Sequence, residues 1–414
     1  MINVTQLDNG LVVATDQMSD VRSVSIGCWV KVGSRDETPE VAGCSHFLEH
    51  MIFKGTSDLT AFDVAVKLDA IGGESNAFTS REATAFYVRL LAEKVEMGTE
   101  LLFDLLSNAA FRTDDLETER QVMLEEIYHH LDEPSDLVWQ KFMEGLFNGH
   151  PMGRDVQGSI ETISSITRDQ IIDFWDSFYR TRNMILVAAG NVNHEQFLNI
   201  VQSFEGFKLG GQSVDRVTPS LNAPTDVVVP KETEQVHILI GSQAPGATDS
   251  RRWDMQVLNK VLGGGMSSRL FQEVREKRGL VYSIGSDWAG FSDCGAFVVS
   301  ASSSPSKSSE VIKVIRAELE KIQVQGITPE EFELAKSHAK AAISLSSEDS
   351  LHRMGRLGSS LALRHEAYEL DEILKKIEEV ELDNVNLIAQ AIFSKPFVMA
   401  LVGPNSEEVY NEVL

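Results

Sequence analysis

Two histidines and a glutamate packed into five residues, His46-Phe47-Leu48-Glu49-His50, set the chemistry that this chain can carry. On a helix His46 and His50 fall one turn apart, at i and i+4, so both imidazoles can reach one metal ion. Glu49 follows His46 by three residues and shares its face, where it can take a proton from a metal-bound water as general base. The pattern outlines a zinc hydrolase, which also needs a third protein ligand and an open position for water.

The elements that must hold these groups surround them in the text. Gly43-Cys44-Ser45 offers a helix start with Ser45 as N-cap. A second helix is predicted over residues 114–131, where acidic residues lead and Leu116, Met123, Ile127 and Leu131 recur at helical spacing. Glu119 and Glu126 on it are seven residues apart, hence only about 20° apart around the axis. One can bind the metal while the other supports it. Glu125, His129 and His130 occupy the same stretch and compete as ligands, because spacing alone does not rank them.

With His46, Glu49 and His50 followed by Glu119 and Glu126, the chain resembles the M16 (insulinase and pitrilysin) family of inverted-motif zinc peptidases. The likeness extends to Gly72-Gly-Glu-Ser-Asn-Ala-Phe-Thr-Ser-Arg-Glu82, similar to that family's substrate-pairing edge strand and its approach. It extends also to Gly263-Gly-Gly-Met-Ser-Ser-Arg-Leu270 with Arg275 and Tyr282 beyond it, which match its second-domain signature. The resemblance implies that His46, His50 and Glu126 ligate Zn2+ and that Glu49 is the base. It makes Glu119 a carboxylate that orients a ligand from behind. Arg275 and Tyr282 would hold the substrate and help stabilise the oxyanion. Asn76, Ala77, Phe78 and Thr79 would pair with an extended peptide through the backbone. Members that prefer arginine near the cut use two acids beyond the third ligand; Asp136 matches the first, whereas Gln140 departs from the second.

Composition bounds the rest. A chain of 414 residues with 43% hydrophobic content can fill two cores. No run of 18 apolar residues occurs, and the start, Met1-Ile-Asn-Val-Thr-Gln, alternates like a strand, so neither membrane insertion nor a cleaved targeting segment is expected. The three cysteines, Cys28, Cys44 and Cys294, are too few for a disulfide framework and fit a reducing cytoplasm. A formal charge of -25 repels phosphate, which argues against nucleic acid, and favours basic peptides modestly.

Periodicity lapses where Gly, Pro, Ser and Asn collect between Gly206 and Pro224, which marks a linker. The expected organisation is a zinc-binding domain over 1–207, a linker over 208–225 and a metal-free, substrate-binding domain over 226–414. Val24-Ser-Ile-Gly-Cys-Trp-Val and Val236-His-Ile-Leu-Ile-Gly open similar passages in the two halves, as a degenerate duplication would. The second copy is read with Ser268-Arg-Leu-Phe-Gln-Glu in place of the metal motif. The glycine triplet 263–265 lacks a P-loop ending and reads as a turn that caps a helix. The fold class is α+β: two homologous α/β sandwich lobes, each an antiparallel-rich sheet with helices.

The expected activity is a zinc-dependent endopeptidase acting on extended or presequence-like peptides, working as a cytoplasmic homodimer because the chain resembles half of the family's longest members. The alternatives are a non-catalytic core subunit of the same fold, or a peptide-binding partner of another such chain.

Overall fold

The computed structural model of the chain describes residues 1–204, 208–219 and 224–414. It is a mixed α/β structure with two sheets. The first contains β1 (Ile2–Gln6), β2 (Val12–Gln17), β3 (Ser23–Val30), β4 (Glu74–Thr79), β5 (Thr84–Leu91) and β6 (Met184–Gly190), in the order β1-β2-β6-β3-β5-β4. The second contains β7 (Val227–Pro230), β8 (Val236–Ala244), β9 (Ser283–Gly290), β10 (Gly295–Ser303) and β11 (Val398–Gly403), in the order β7-β11-β8-β10-β9.

Setting β1 aside, the two sheets have the same wiring. In each, the outer parallel pair (β2 with β6, β7 with β11) is followed by three antiparallel pairings. The repeat expected from the Val24 and Val236 passages is therefore a repeat of topology, with β3 equivalent to β8. One detail differs from expectation. The first helix after β3 is the His46 helix, Cys44–Ile52, and the first after β8 is Arg252–Gly263. The segment at Ser268 follows that helix and so corresponds in order to the second helix of the first copy, Ala61–Ile71, not to the metal motif. Gly264 caps the Arg252–Gly263 helix, as the glycine triplet suggests.

Central strands β6 and β11 read as unbroken apolar runs because both faces are covered. β3 is buried at all but its first residue, with Cys28 opposite Phe86 on one side and Leu186 on the other. β4 is the edge, paired to β5 alone in this sheet, and its Glu74, Ser75 and Asn76 are exposed.

The chain forms two compact units that interleave in sequence. The first holds Met1–Ile127, Arg154–Arg216 and Leu345–Leu370; the second holds Tyr128–Gly153, Val217–Ser344 and Asp371–Leu414. A single cut at a linker over 208–225 does not describe them, and 220–223 of that span lie outside the described residues. Each half lends one helix to the other's sheet. Ser350–Arg364, from the C-terminal half, buries Met354, Leu357, Leu361 and Ala362 against Trp29, Ala85, Ile185 and Val187. Pro134–Leu146, from the N-terminal half, buries Leu137, Phe142 and Met143 against Leu239, Val298 and Ala400. The contact with Trp29 is close enough that a Cβ on Gly358 would lie 2.4 Å from the indole.

All three cysteines are buried, and none is in a disulfide. No helix among the described residues is long and apolar enough to cross a membrane.

Candidate metal centre

The His46 helix begins at Cys44, after Gly43 at φ 94°, and Ser45 lies inside it rather than serving as N-cap. Glu37 takes that role from eight residues upstream. Its two carboxylate oxygens accept the Gly43 and Ser45 backbone N–H groups at 2.7 and 2.6 Å, answering donors that a helix start leaves open. Burial raises the Glu37 carboxyl above its ordinary range, and these two N–H groups pull the other way.

The second helix, Thr113–Asp132, is fastened across the first by Arg120. Its guanidinium donates to the carbonyls of Ile163 and, at 2.9 Å, Ile166, and lies over the Phe47 ring at 5.5 Å. This crossing brings Glu126 to the two histidines. Ligand atoms of His46, His50 and Glu126 all fall within 4.8 Å of one another. Glu126 lies 3.7 Å from His46 Nε2 through one oxygen and 3.5 Å from His50 Nε2 through the other. Zinc with nitrogen and oxygen donors at about 2.0 to 2.2 Å would keep its ligands roughly 3.3 Å apart, so the three groups fit such an ion with little adjustment. Glu125 and His129 are exposed on the same helix and lie outside this group.

The two imidazoles are held differently. His50 Nδ1 faces Glu119 Oε2 at 3.0 Å, which leaves Nε2 directed at Glu126 and available to a metal ion. His46 Nδ1 is buried without a hydrogen-bond partner among the described residues, and its ring meets the His50 ring edge-on at 4.8 Å. Burial, assisted by His50, pushes His46 down to about 4, leaving it neutral with a lone pair to offer. His50 is drawn upward: burial opposes its charge, but the Glu126 and Glu119 carboxylates outweigh burial. Hydrogen bonding to His50 in turn lowers Glu126.

Glu49 is on the same helix, and its Oε2 accepts the Thr79 hydroxyl at 2.5 Å. Burial raises its carboxyl, while the Thr79 hydroxyl restrains the rise. A carboxylate moved toward neutrality suits a general base. Thr79 ends β4, the edge strand that also carries Asn76, Ala77 and Phe78.

Other predicted residues lie in the second unit. Arg275 sits on a short π-helical turn, Phe271–Glu276, with its guanidinium over the Phe271 and Tyr282 rings at 4.6 and 5.3 Å, and Tyr282 is 80% exposed. Asp136 opens the Pro134–Leu146 helix and lies 3.9 Å from His130 Nδ1.

Several supporting residues escape the sequence reading. Gln157 donates to Glu126 Oε1 at 2.9 Å. It arrives there because its loop packs directly on the helix start, where a Cβ on Gly43 would meet the Gln157 carbonyl at 2.6 Å. Lys54 reaches Glu119 Oε1 at 2.5 Å. Arg216 clamps Asp36 with two bonds of 2.9 and 2.8 Å and also takes the Glu82 carbonyl, tying the loop after β3 to the β4–β5 turn. The i+4 spacing of Lys54 from His50 was the one signal available for any of these.

Residues 12–159 match the family described as Insulinase (Peptidase family M16), and 165–338 match the Peptidase M16 inactive domain. An uncharacterized zinc protease of Mycobacterium leprae is 41% identical over 406 residues, covering 97% of this chain and 91% of that protein. This chain belongs to the M16 peptidase family. Another M16 relative, an uncharacterized zinc protease of Streptomyces coelicolor, is 37% identical over 410 residues, with 97% and 89% covered. A protease from Helicobacter pylori superposes with a TM-score of 0.91 at 25% identity, over 98% of this chain and 100% of that one. His46, His50 and Glu126 lie within the residues that match the Insulinase description. Strands β7 to β10 of the second sheet fall within the inactive-domain match, and β11 lies beyond it.

Proposed function

We propose that this M16 chain is a zinc-dependent endopeptidase that hydrolyses extended peptides. The observation that carries this reading is the convergence of His46, His50 and Glu126 on one point, with Glu49 on the same helix and hydrogen-bonded to the edge strand. His46, His50 and Glu126 would hold zinc, which when bound polarises a peptide carbonyl and acidifies water.

The chain's own groups do the remaining work. The outer edge of β4 offers backbone donors and acceptors to an extended peptide, which provides affinity without dictating sequence. Glu49 removes a proton from the attacking water and returns it to the departing amine. Thr79 keeps the Glu49 carboxylate directed during both transfers. Arg275 and Tyr282 hold the substrate and donate to the developing oxyanion, and Asp136 favours a basic side chain near the cut. A homodimer is the proposed assembly, tested by light scattering.

Elemental analysis of the purified chain, paired with cleavage of a quenched fluorescent peptide library, tests the reading. About one zinc per chain is expected from the one three-ligand group among the described residues, with cleavage that chelation abolishes. Glu49→Gln should keep the zinc and lose about 10²-fold or more in turnover. Bound zinc without cleavage would favour a peptide-binding partner subunit, and absence of zinc a non-catalytic core subunit.

A further inference from the structure

Lys54 stands behind the metal-binding face, one helical turn beyond His50. Its ammonium lies 2.5 Å from Glu119 Oε1, while Glu119 Oε2 lies 3.0 Å from His50 Nδ1. Glu119 is only 4% exposed, too enclosed for an unpaired carboxylate to be tolerated cheaply. Among the described residues Lys54 and His50 are its two polar partners, one per oxygen, and the carboxylate cannot turn without breaking both.

The lysine is itself held by its turn. Lys54 N–H donates to the Met51 carbonyl at 3.1 Å, closing the helix end. Gly55 follows at φ 115°, where a Cβ would lie 2.3 Å from the Leu59 carbonyl, so no larger residue fits. Arg112 donates to the carbonyls of Lys54, Thr56 and Leu59 at 3.4, 2.7 and 3.2 Å, pinning the turn from outside. A flexible side chain on a fixed root is the arrangement expected when the position of its head matters.

We propose that Lys54 is a positioning residue for the metal: by holding Glu119, it fixes the His50 ring with Nε2 turned toward Glu126. The inference rests on the reading that His46, His50 and Glu126 bind zinc. It acts through a chain of contacts, Lys54 to Glu119 to His50, and touches neither metal nor substrate. Partners behind a ligating histidine typically contribute 10- to 100-fold in metal affinity.

The test is zinc affinity, measured on the full chain by competition with a chromophoric chelator, for wild type, Lys54→Met, Lys54→Gln and Lys54→Arg. Thermal melts select the folded variants. Lys54→Met and Lys54→Gln should bind zinc about 10-fold more weakly, and Lys54→Arg should stay close to wild type. In a Glu119→Gln background, Lys54→Met should have no further effect, because the contact it removes is already lost. Wild-type affinity in a folded Lys54→Met or Lys54→Gln chain would overturn the inference, as would an equal loss in both backgrounds. A wild-type chain that binds no zinc would instead overturn the reading on which the inference rests.

Discussion

Thr79 Oγ1 donates to Glu49 Oε2 at 2.5 Å, so the last residue of the edge strand is bonded directly to the proposed base. A peptide that pairs with β4 would therefore be registered against the group that acts on it. Thr79→Val keeps the shape and removes the donor. It should lower kcat about 10- to 100-fold, the value of one hydrogen bond to a charged group, with zinc content unchanged and activity retained in Thr79→Ser. Unchanged kcat in Thr79→Val would remove Thr79 from the mechanism.

Zinc binding should depend on pH through His50 and not through His46. His46, pushed down to about 4, offers a free lone pair at any pH where the fold is expected to persist. The two carboxylates raise His50, so near and below its raised value a proton competes with the metal. Affinity should fall as pH falls through that value, and titration calorimetry in buffers of different ionisation enthalpy should report about one proton released per metal at the low end. Release of two protons there would contradict the depressed His46.

Glu37→Gln tests the helix cap. An amide offers one oxygen where the carboxylate offers two, so either Gly43 or Ser45 N–H would be left facing an NH2 group. A buried donor left unsatisfied costs about 1–3 kcal/mol. The variant should unfold at lower temperature and bind zinc less tightly, because the helix carrying both histidines is loosened at its start. Scanning calorimetry with and without zinc would check both effects.

Gly358→Ala probes the lent helix. The added methyl would sit 2.4 Å from the Trp29 ring in a fully packed layer. Overpacking of this kind typically costs about 1–3 kcal/mol. A lower unfolding midpoint with a red-shifted tryptophan emission is expected, and an unchanged midpoint would show that the helix can lift without cost.

The candidate metal site was readable where its chemistry is written in local periodicity. His46, Glu49 and His50 share five residues, and Glu126 falls on a stripe that helical spacing alone reveals, although Glu125 and His129 could be set aside only once the helices were seen to cross. Ser45 was misread because the cap comes from Glu37, which a loop returns to the helix start. Gln157 and Arg216 depend on loops meeting in space, and nothing in their neighbours' spacing announces that. The duplicated sheet was visible in β3 and β8, since buried central strands stay rich in apolar residues. The destination of the helices Pro134–Leu146 and Ser350–Arg364 was not, because an amphipathic face says that it will be buried without saying against which sheet.

That exchange of helices bears on how the chain is made. Residues 1–190 supply every strand of the first sheet, yet the helix that covers Trp29 and Ile185 ends at Arg364. At a synthesis rate of roughly 5–20 residues per second, one face of the finished sheet waits on the ribosome for about 10 to 30 seconds before its cover emerges. The first unit is thus among the last parts of the chain to close, and nascent chains stalled before residue 350 should stay open to protease at that face.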